Sequence, residues 1–236
     1  MKRIAIIPAR GGSKRIKRKN LKLFYDKPII LYTIELLKNS NIFSKIHIST
    51  EDSEIFDVAR SVGHEPDFKR PKSLSTDNVN IIDVMDYVIN KYDQMRENFD
   101  QIWLVYACNP LLENYQIIDA KNVFEKKCSD TALLAIKETT PYSKLLTINT
   151  HNKIKPIDNK NFQKVSQKLM KTYIDAGSFA IFSTKFFKET NSKFFPNNFY
   201  GYRLNKSNSI DIDDQDDWEL AEAMYYLKNK NKKEKK

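Results

Sequence analysis

The chain has 236 residues, 41% hydrophobic and 12% aromatic, enough apolar material for a substantial core and too much for wholesale disorder. Lys and Arg outnumber the acids by 40 to 30, giving a formal net charge of +10. No apolar run reaches bilayer length and no leader pattern precedes Ile4, so one cytoplasmic domain over residues 1–227 is expected, with no membrane partner.

The charge is unevenly placed. The last nine residues, "KNKNKKEKK" (228–236), hold six Lys and one Glu and contribute +5, half of the total. Such a run reads as a solvated, disordered end. The remaining excess gathers near the amino terminus, which favours a single anion pocket over a nucleic-acid face. A non-catalytic polyanion binder is the alternative that the charge supports. Cys108 and Cys128 lack metal-type spacing and read as buried free thiols, while His47, His64 and His151 are scattered.

In chain order, "RIAIIPA" from Arg3 is an apolar run of the kind buried on both faces of a sheet. After a basic loop, "KPIILYTIELLKNS" places Pro28 in a first helical turn ahead of apolar residues at helical spacing. "KIHIST" predicts a second strand, and "DSEIFDVARSVG" a helix capped by Asp52 or Ser53 and stopped at Gly63. A helix in "NIIDVMDYVINKY", a central strand in "QIWLVYA", a helix in "NYQIIDAKNVFEKK" and a strand in "TALLAI" follow. Residues 137–173 break this alternation. They are polar and irregular, and such long structureless loops are uncommon in compact domains, so a surface excursion or an arm packing on a second subunit is expected. A strand in "GSFAIF", a short helix from Thr184, a strand around "FYGYRL" and a last helix in "DDWELAEAMYYLKN" complete the chain. The pattern predicts an α/β, Rossmann-like three-layer α/β/α fold with a mostly parallel sheet, its ligand-binding loops at the strands' carboxyl ends.

Two stretches could carry chemistry. The loop "ARGGSKRIKRKN" belongs to a region with seven Lys or Arg between positions 10 and 22 and no acid before Asp26. Like charges at that density repel, so an anion is expected among them. Gly11 and Gly12 would let backbone N–H groups approach it, with Arg10, Ser13, Lys14 and Lys19 adding charge and hydrogen bonds. The loop matches neither the P-loop nor the dinucleotide-binding glycine pattern. A solvated basic loop is the plain alternative, but its place after the first strand favours a phosphate site.

In "SIDIDDQDDW", Asp211 and Asp213 are two apart and share a face if the segment is extended. A pair of close carboxylates suits Mg²⁺ bridging to substrate phosphates. The competing reading is a helix cap, for which Asp213 or Asp214 would serve. A basic loop facing a two-carboxylate metal site fits nucleotidyl transfer, where positioning and charge neutralisation do most of the work and no side-chain nucleophile is needed.

The opening resembles the acylneuraminate cytidylyltransferase family, with its A-R-x-x-S-K and K-N pattern at Arg10, Ser13, Lys14, Lys19 and Asn20. "FKRPKSLSTDN" is similar to the family's R-P-x-x-L-x-x-D, at Arg70, Pro71, Leu74 and Asp77, and "DIDDQDDWELAE" to its closing D-I-D motif. Within the family, "VYACNPLL" and "YIDAGSFAIF" resemble the pseudaminic acid branch. The resemblance implies a nucleotidyltransferase fold and transfer of CMP from CTP to a nine-carbon acidic sugar. Pseudaminic acid is the expected acceptor; sialic acid, legionaminic acid or a ketodeoxyoctonate are the alternatives.

Residue by residue, it implies that Arg10, Ser13, Lys14 and Lys19 meet the triphosphate. Asn20, Arg70 and the Ala107–Cys108 backbone would hold the nucleotide, and Asp211 and Asp213 would hold Mg²⁺. Gln167, Asp175 and Gly177 would face the sugar. It also implies a homodimer whose arm is residues 137–173. The chain departs from the family at Val165 and from the branch at Ile174 and Ala180–Ile181, on segments that line the sugar side in relatives.

Overall fold

The computed structural model describes residues 1–165, 169–189 and 199–234, the last four by backbone alone. The first part runs β1 (Arg3–Pro8), the short pair β2 (Leu23–Phe24) and β3 (Lys27–Pro28), α1 (Ile29–Ser40), β4 (Lys45–Ser49), α2 (Ser53–Ser61) and α3 (Ile81–Gln94). There follow β5 (Gln101–Val105), α4 (Asn114–Lys127), β6 (Ala132–Thr139), the hairpin β7 (Leu146–Ile148) and β8 (Ile154–Pro156), and β9 (Thr172–Ser183). The last elements are α5 (Thr184–Glu189), β10 (Phe199–Leu204) and α6 (Gln215–Glu234).

Among the described residues one six-stranded sheet has the order β10-β6-β9-β5-β1-β4. Strand β1 is parallel to β4 and β5, and β10 to β6, while β9 runs antiparallel between β5 and β6. The expected α/β fold with a mostly parallel sheet is therefore present. Alternation along β1 explains its two covered faces. Ala5 and Ile7 pack with Ile30 and Ile34 of α1, Ile55 of α2 and Phe124 of α4, whereas Ile4 and Ile6 pack with Met85 and Val88 of α3. Burying such side chains contributes about 1.5–3 kcal/mol each.

A third cluster positions the site. Ile16 of the basic loop, Phe24, Ile29 and Leu111 enclose Ile212, Trp218 and Ala221. It joins the loop after β1 to the segment before α6, although nearly two hundred residues separate them. A bulge supplies the other wall. Leu134 of β6 pairs with Ala180, but Ile136 pairs with Asp175, so five steps along β9 match two along β6. Within that bulge Gly177 takes φ +62.

Two expectations need correction. The excursion at 137–173 is not wholly irregular: Glu138 pairs with Tyr173 and Thr139 with Thr172 as extensions of the sheet, and β7 and β8 form a hairpin. Ladder hydrogen bonds hold the polar residues of those sheet extensions, which carry no apolar periodicity. The basic end is not disordered from residue 228, because α6 continues to Glu234. Lys228 Nζ bonds Leu111 O at 2.8 Å and Asn208 Oδ1 at 2.9 Å and pairs with Glu113 at 3.1 Å, and Lys is a good helix former.

Candidate active site

A cleft of about 560 Å³ opens where β1 and β5 end, at Pro8 and Tyr106. Of the residues expected at the site, Arg10, Ser13, Lys14, Lys19, Asn20, Arg70, Ala107, Cys108, Gly177, Asp211 and Asp213 line it. Gly11, Gly12 and Asp175 are not in its lining, and Gln167 lies outside the described residues. The amino-terminal cations and the carboxyl-terminal aspartates therefore meet in one cavity.

The basic loop is folded around acids from elsewhere in the chain. Asp52 caps α2, accepting from Glu54 N at 3.0 Å and Ile55 N at 3.1 Å, and pairs with Arg18 at 2.5 Å. A Cβ on Gly11 would fall 2.1 Å from Asp52 Oδ2, so this glycine permits the loop's approach to α2. Its N–H donates to Glu51 Oε1 at 2.9 Å and does not face the cleft, contrary to the expectation of a Gly11 amide offered to phosphate. A Cβ on Gly12 would meet nothing within 4 Å.

Arg10 and Lys14 hold Asp77 at 2.7 and 2.5 Å, and Arg15 and Lys19 approach Asp213 at 2.9 and 3.7 Å. The chain's own carboxylates thus offset part of the loop's repulsion. Lysine and arginine together hold the Asp77 carboxyl below its ordinary range.

Arg70 is buried, not the ordinary surface cation that its sequence neighbourhood would allow. Its Nη2 donates to Glu51 Oε2 at 2.8 Å, and its buried Nε has no protein partner among the described residues. An unpaired buried donor lining a polar cleft is costly unless a ligand accepts it. Asn20 is buried too. Its Nδ2 donates to Arg10 O at 2.9 Å and its Oδ1 accepts from Cys108 Sγ at 3.3 Å, so it secures the loop against β5. The Ala107 carbonyl accepts from Thr33 Oγ1 at 2.9 Å. Burial pushes the Cys108 thiol up to about 12, which removes it as a nucleophile at neutral pH.

Asp211 has a raised pKa, first through burial and then through the charge of Asp213, with Lys19 and Lys137 opposing. Tyr106, beside Asp175 and Asp211, is pushed up to about 12, chiefly by burial. The cap and site readings of the aspartate run separate cleanly. Asp214 Oδ1 accepts from Asp217 N at 3.0 Å and Asp217 Oδ2 from Asp213 N at 2.9 Å, so Asp214 and Asp217 start α6 and leave the Asp211 and Asp213 carboxylates to the cleft. Among the described residues no three His, Cys, Asp or Glu gather into a metal-binding group.

The cleft can thus take a polyphosphate between cations and a carboxylate pair. The sequence model for cytidylyltransferases matches residues 4–234. The chain belongs to the cytidylyltransferase family. A pseudaminic acid cytidylyltransferase of Campylobacter jejuni is 34% identical over 98% of this chain and 99% of its own. A CMP-N,N'-diacetyllegionaminic acid synthase of Legionella pneumophila is 30% identical over 96% of this chain and 97% of its own. Among solved structures, CMP:2-keto-3-deoxy-manno-octonic acid synthetase complexed with CTP aligns over 97% of this chain and 100% of its own with TM-score 0.73 at 12% identity, a likeness of fold.

For this cytidylyltransferase, sequence reasoning missed Glu51 and Asp52 as supports of the loop and gave Asp77 no role. A signal was present: both acids follow "KIHIST", and β4 lies beside β1 with Ser49 opposite Pro8, so they emerge next to the basic loop.

Proposed function

We propose that the enzyme transfers CMP from CTP to the anomeric hydroxyl of pseudaminic acid and releases pyrophosphate. The convergence of Arg10, Lys14 and Lys19 with Asp211 and Asp213 in one cleft carries the transfer chemistry. The near full-length likeness to a pseudaminic acid cytidylyltransferase supports the acceptor. In the reaction the anomeric oxygen bonds to the α-phosphorus, the bond to the β-phosphate oxygen breaks, and the hydroxyl proton is lost. Arg10, Lys14 and Lys19 balance the charge on the departing pyrophosphate, and Arg70 Nε offers a donor to the nucleotide.

Asp211 and Asp213 fit a hard divalent cation, since both line the cleft and the charge of Asp213 raises the cost of the charge on Asp211. Mg²⁺ held there would neutralise phosphate charge and acidify the attacking hydroxyl. With CTP as co-substrate the enzyme would work in the cytoplasm; no helix among the described residues is long and apolar enough to cross a membrane.

The arm supports a homodimer. Ile148 and Ile154, opposite each other in the β7–β8 hairpin, are each 65% exposed, and Met170 is 82% exposed. Pyrophosphate release with CTP, Mg²⁺ and pseudaminic acid tests the activity, and an acceptor panel tests the sugar. Asp211→Asn should lower turnover by about a hundredfold or more. Retained turnover would remove the metal assignment.

A further inference from the structure

Two cations of the basic loop are held by one carboxylate from the opposite wall. Arg10 Nη1 lies 2.7 Å from Asp77 Oδ1, and Lys14 Nζ 2.5 Å from Asp77 Oδ2, so each oxygen serves one cation. Asp77 follows the short turn Lys72–Ser75, which lines the cleft through Leu74 and Ser75 and faces the loop after β1. A carboxylate clamped between arginine and lysine stands where two oxygens of a phosphate could sit.

We propose that Asp77 is an internal anion that fills the triphosphate position in the free enzyme, is displaced by CTP, and returns to Arg10 and Lys14 as pyrophosphate leaves. The proposal rests on the reading of this cleft as a CTP site. The side chains of Arg10, Lys14 and Asp77 are 39%, 79% and 45% exposed, so water and salt weaken both pairs and the contact opens readily. A triphosphate brings several charges against the single one of Asp77 and also meets Lys19 and Ser13 deeper in the cleft. Pyrophosphate, once severed from the nucleoside, loses the nucleotide contacts, and Asp77 competes with it again for the same two cations.

The test is calorimetric titration of wild type and Asp77→Asn with CTP and Mg²⁺, and separately with pyrophosphate, at one ionic strength. The variant is expected to bind both ligands about three- to tenfold more tightly, and pyrophosphate to become a stronger product inhibitor by a similar factor. Asp77→Ser, which also removes the charge, must move in the same direction. A gain in affinity is a readout that damage to the fold would not produce. Binding that is unchanged or weaker in both variants overturns the proposal and leaves the CTP reading standing. A wild-type protein that binds no CTP overturns that reading itself.

Discussion

The Asp211 carboxylate rests against the α-carbon of Gly177: a Cβ at that position would lie 2.5 Å from Asp211 Cγ. Gly177 sits in the β9 bulge at φ +62, a conformation that L-residues adopt at a cost of about 1–2 kcal/mol. The bulge and the aspartate are thus fitted to each other. Gly177→Ala should push Asp211 out of place and lower pyrophosphate release at least tenfold (about 1.4 kcal/mol of barrier), with a raised Mg²⁺ requirement. A variant with normal turnover would show that Asp211 is free to shift without consequence.

Glu51 joins the basic loop to the buried Arg70, accepting from Gly11 N and Arg70 Nη2. Arg70's side chain is only 4% exposed, so removing its partner leaves an uncompensated buried charge. Glu51→Ala should destabilise the fold by about 3 kcal/mol in urea unfolding and raise KM for CTP more than it lowers kcat. Burial pushes the Glu51 carboxyl upward, but the hydrogen bonds from Arg70 and Gly11 outweigh it and hold the group below its ordinary value of 4.5. Its contribution is therefore complete above pH 4.5 and is lost as pH falls through the lower folded value. Glu51→Gln should flatten the loss of stability between pH 5 and pH 3 relative to wild type, measured by urea midpoints (about one proton fewer taken up on unfolding). Parallel curves would refute the coupling.

Lys228 ties the basic end to the body of the domain, through its contacts with Leu111 O, Asn208 and Glu113. A chain ending at Lys230 should keep its melting temperature and pyrophosphate release. One ending at Leu227 should lose about 1–2 kcal/mol of stability in thermal unfolding while still turning over CTP at 25 °C. Equal melting of the two truncations would mean that the Lys228 contacts contribute nothing.

Much of the fold was legible because periodicity reports burial. The runs "RIAIIP" and "QIWLV" are sheet interior, and the apolar faces of α1 and α3 cover the two sides of β1. The antiparallel course of β9 was not legible, since pairing direction leaves no mark on a fully buried run such as "SFAIF". The sheet extensions at the base of the arm were hidden for the opposite reason. Their residues are polar, and backbone hydrogen bonding is blind to side-chain type.

The site divides in the same way. Sequence alone determined which residues could carry charge chemistry: a glycine-containing basic loop after a buried strand, and two aspartates spaced for one face, because loop position and residue type are local properties. Only the tertiary structure decided what those groups face. It paired Arg10 and Lys14 with Asp77, turned the Gly11 amide toward Glu51, buried Arg70, and gave Asp214 and Asp217 to the helix while Asp211 and Asp213 face the cleft. Charge pairing depends on distance through space, and the Ile16–Phe24–Trp218 packing that sets those distances joins segments that the sequence holds far apart.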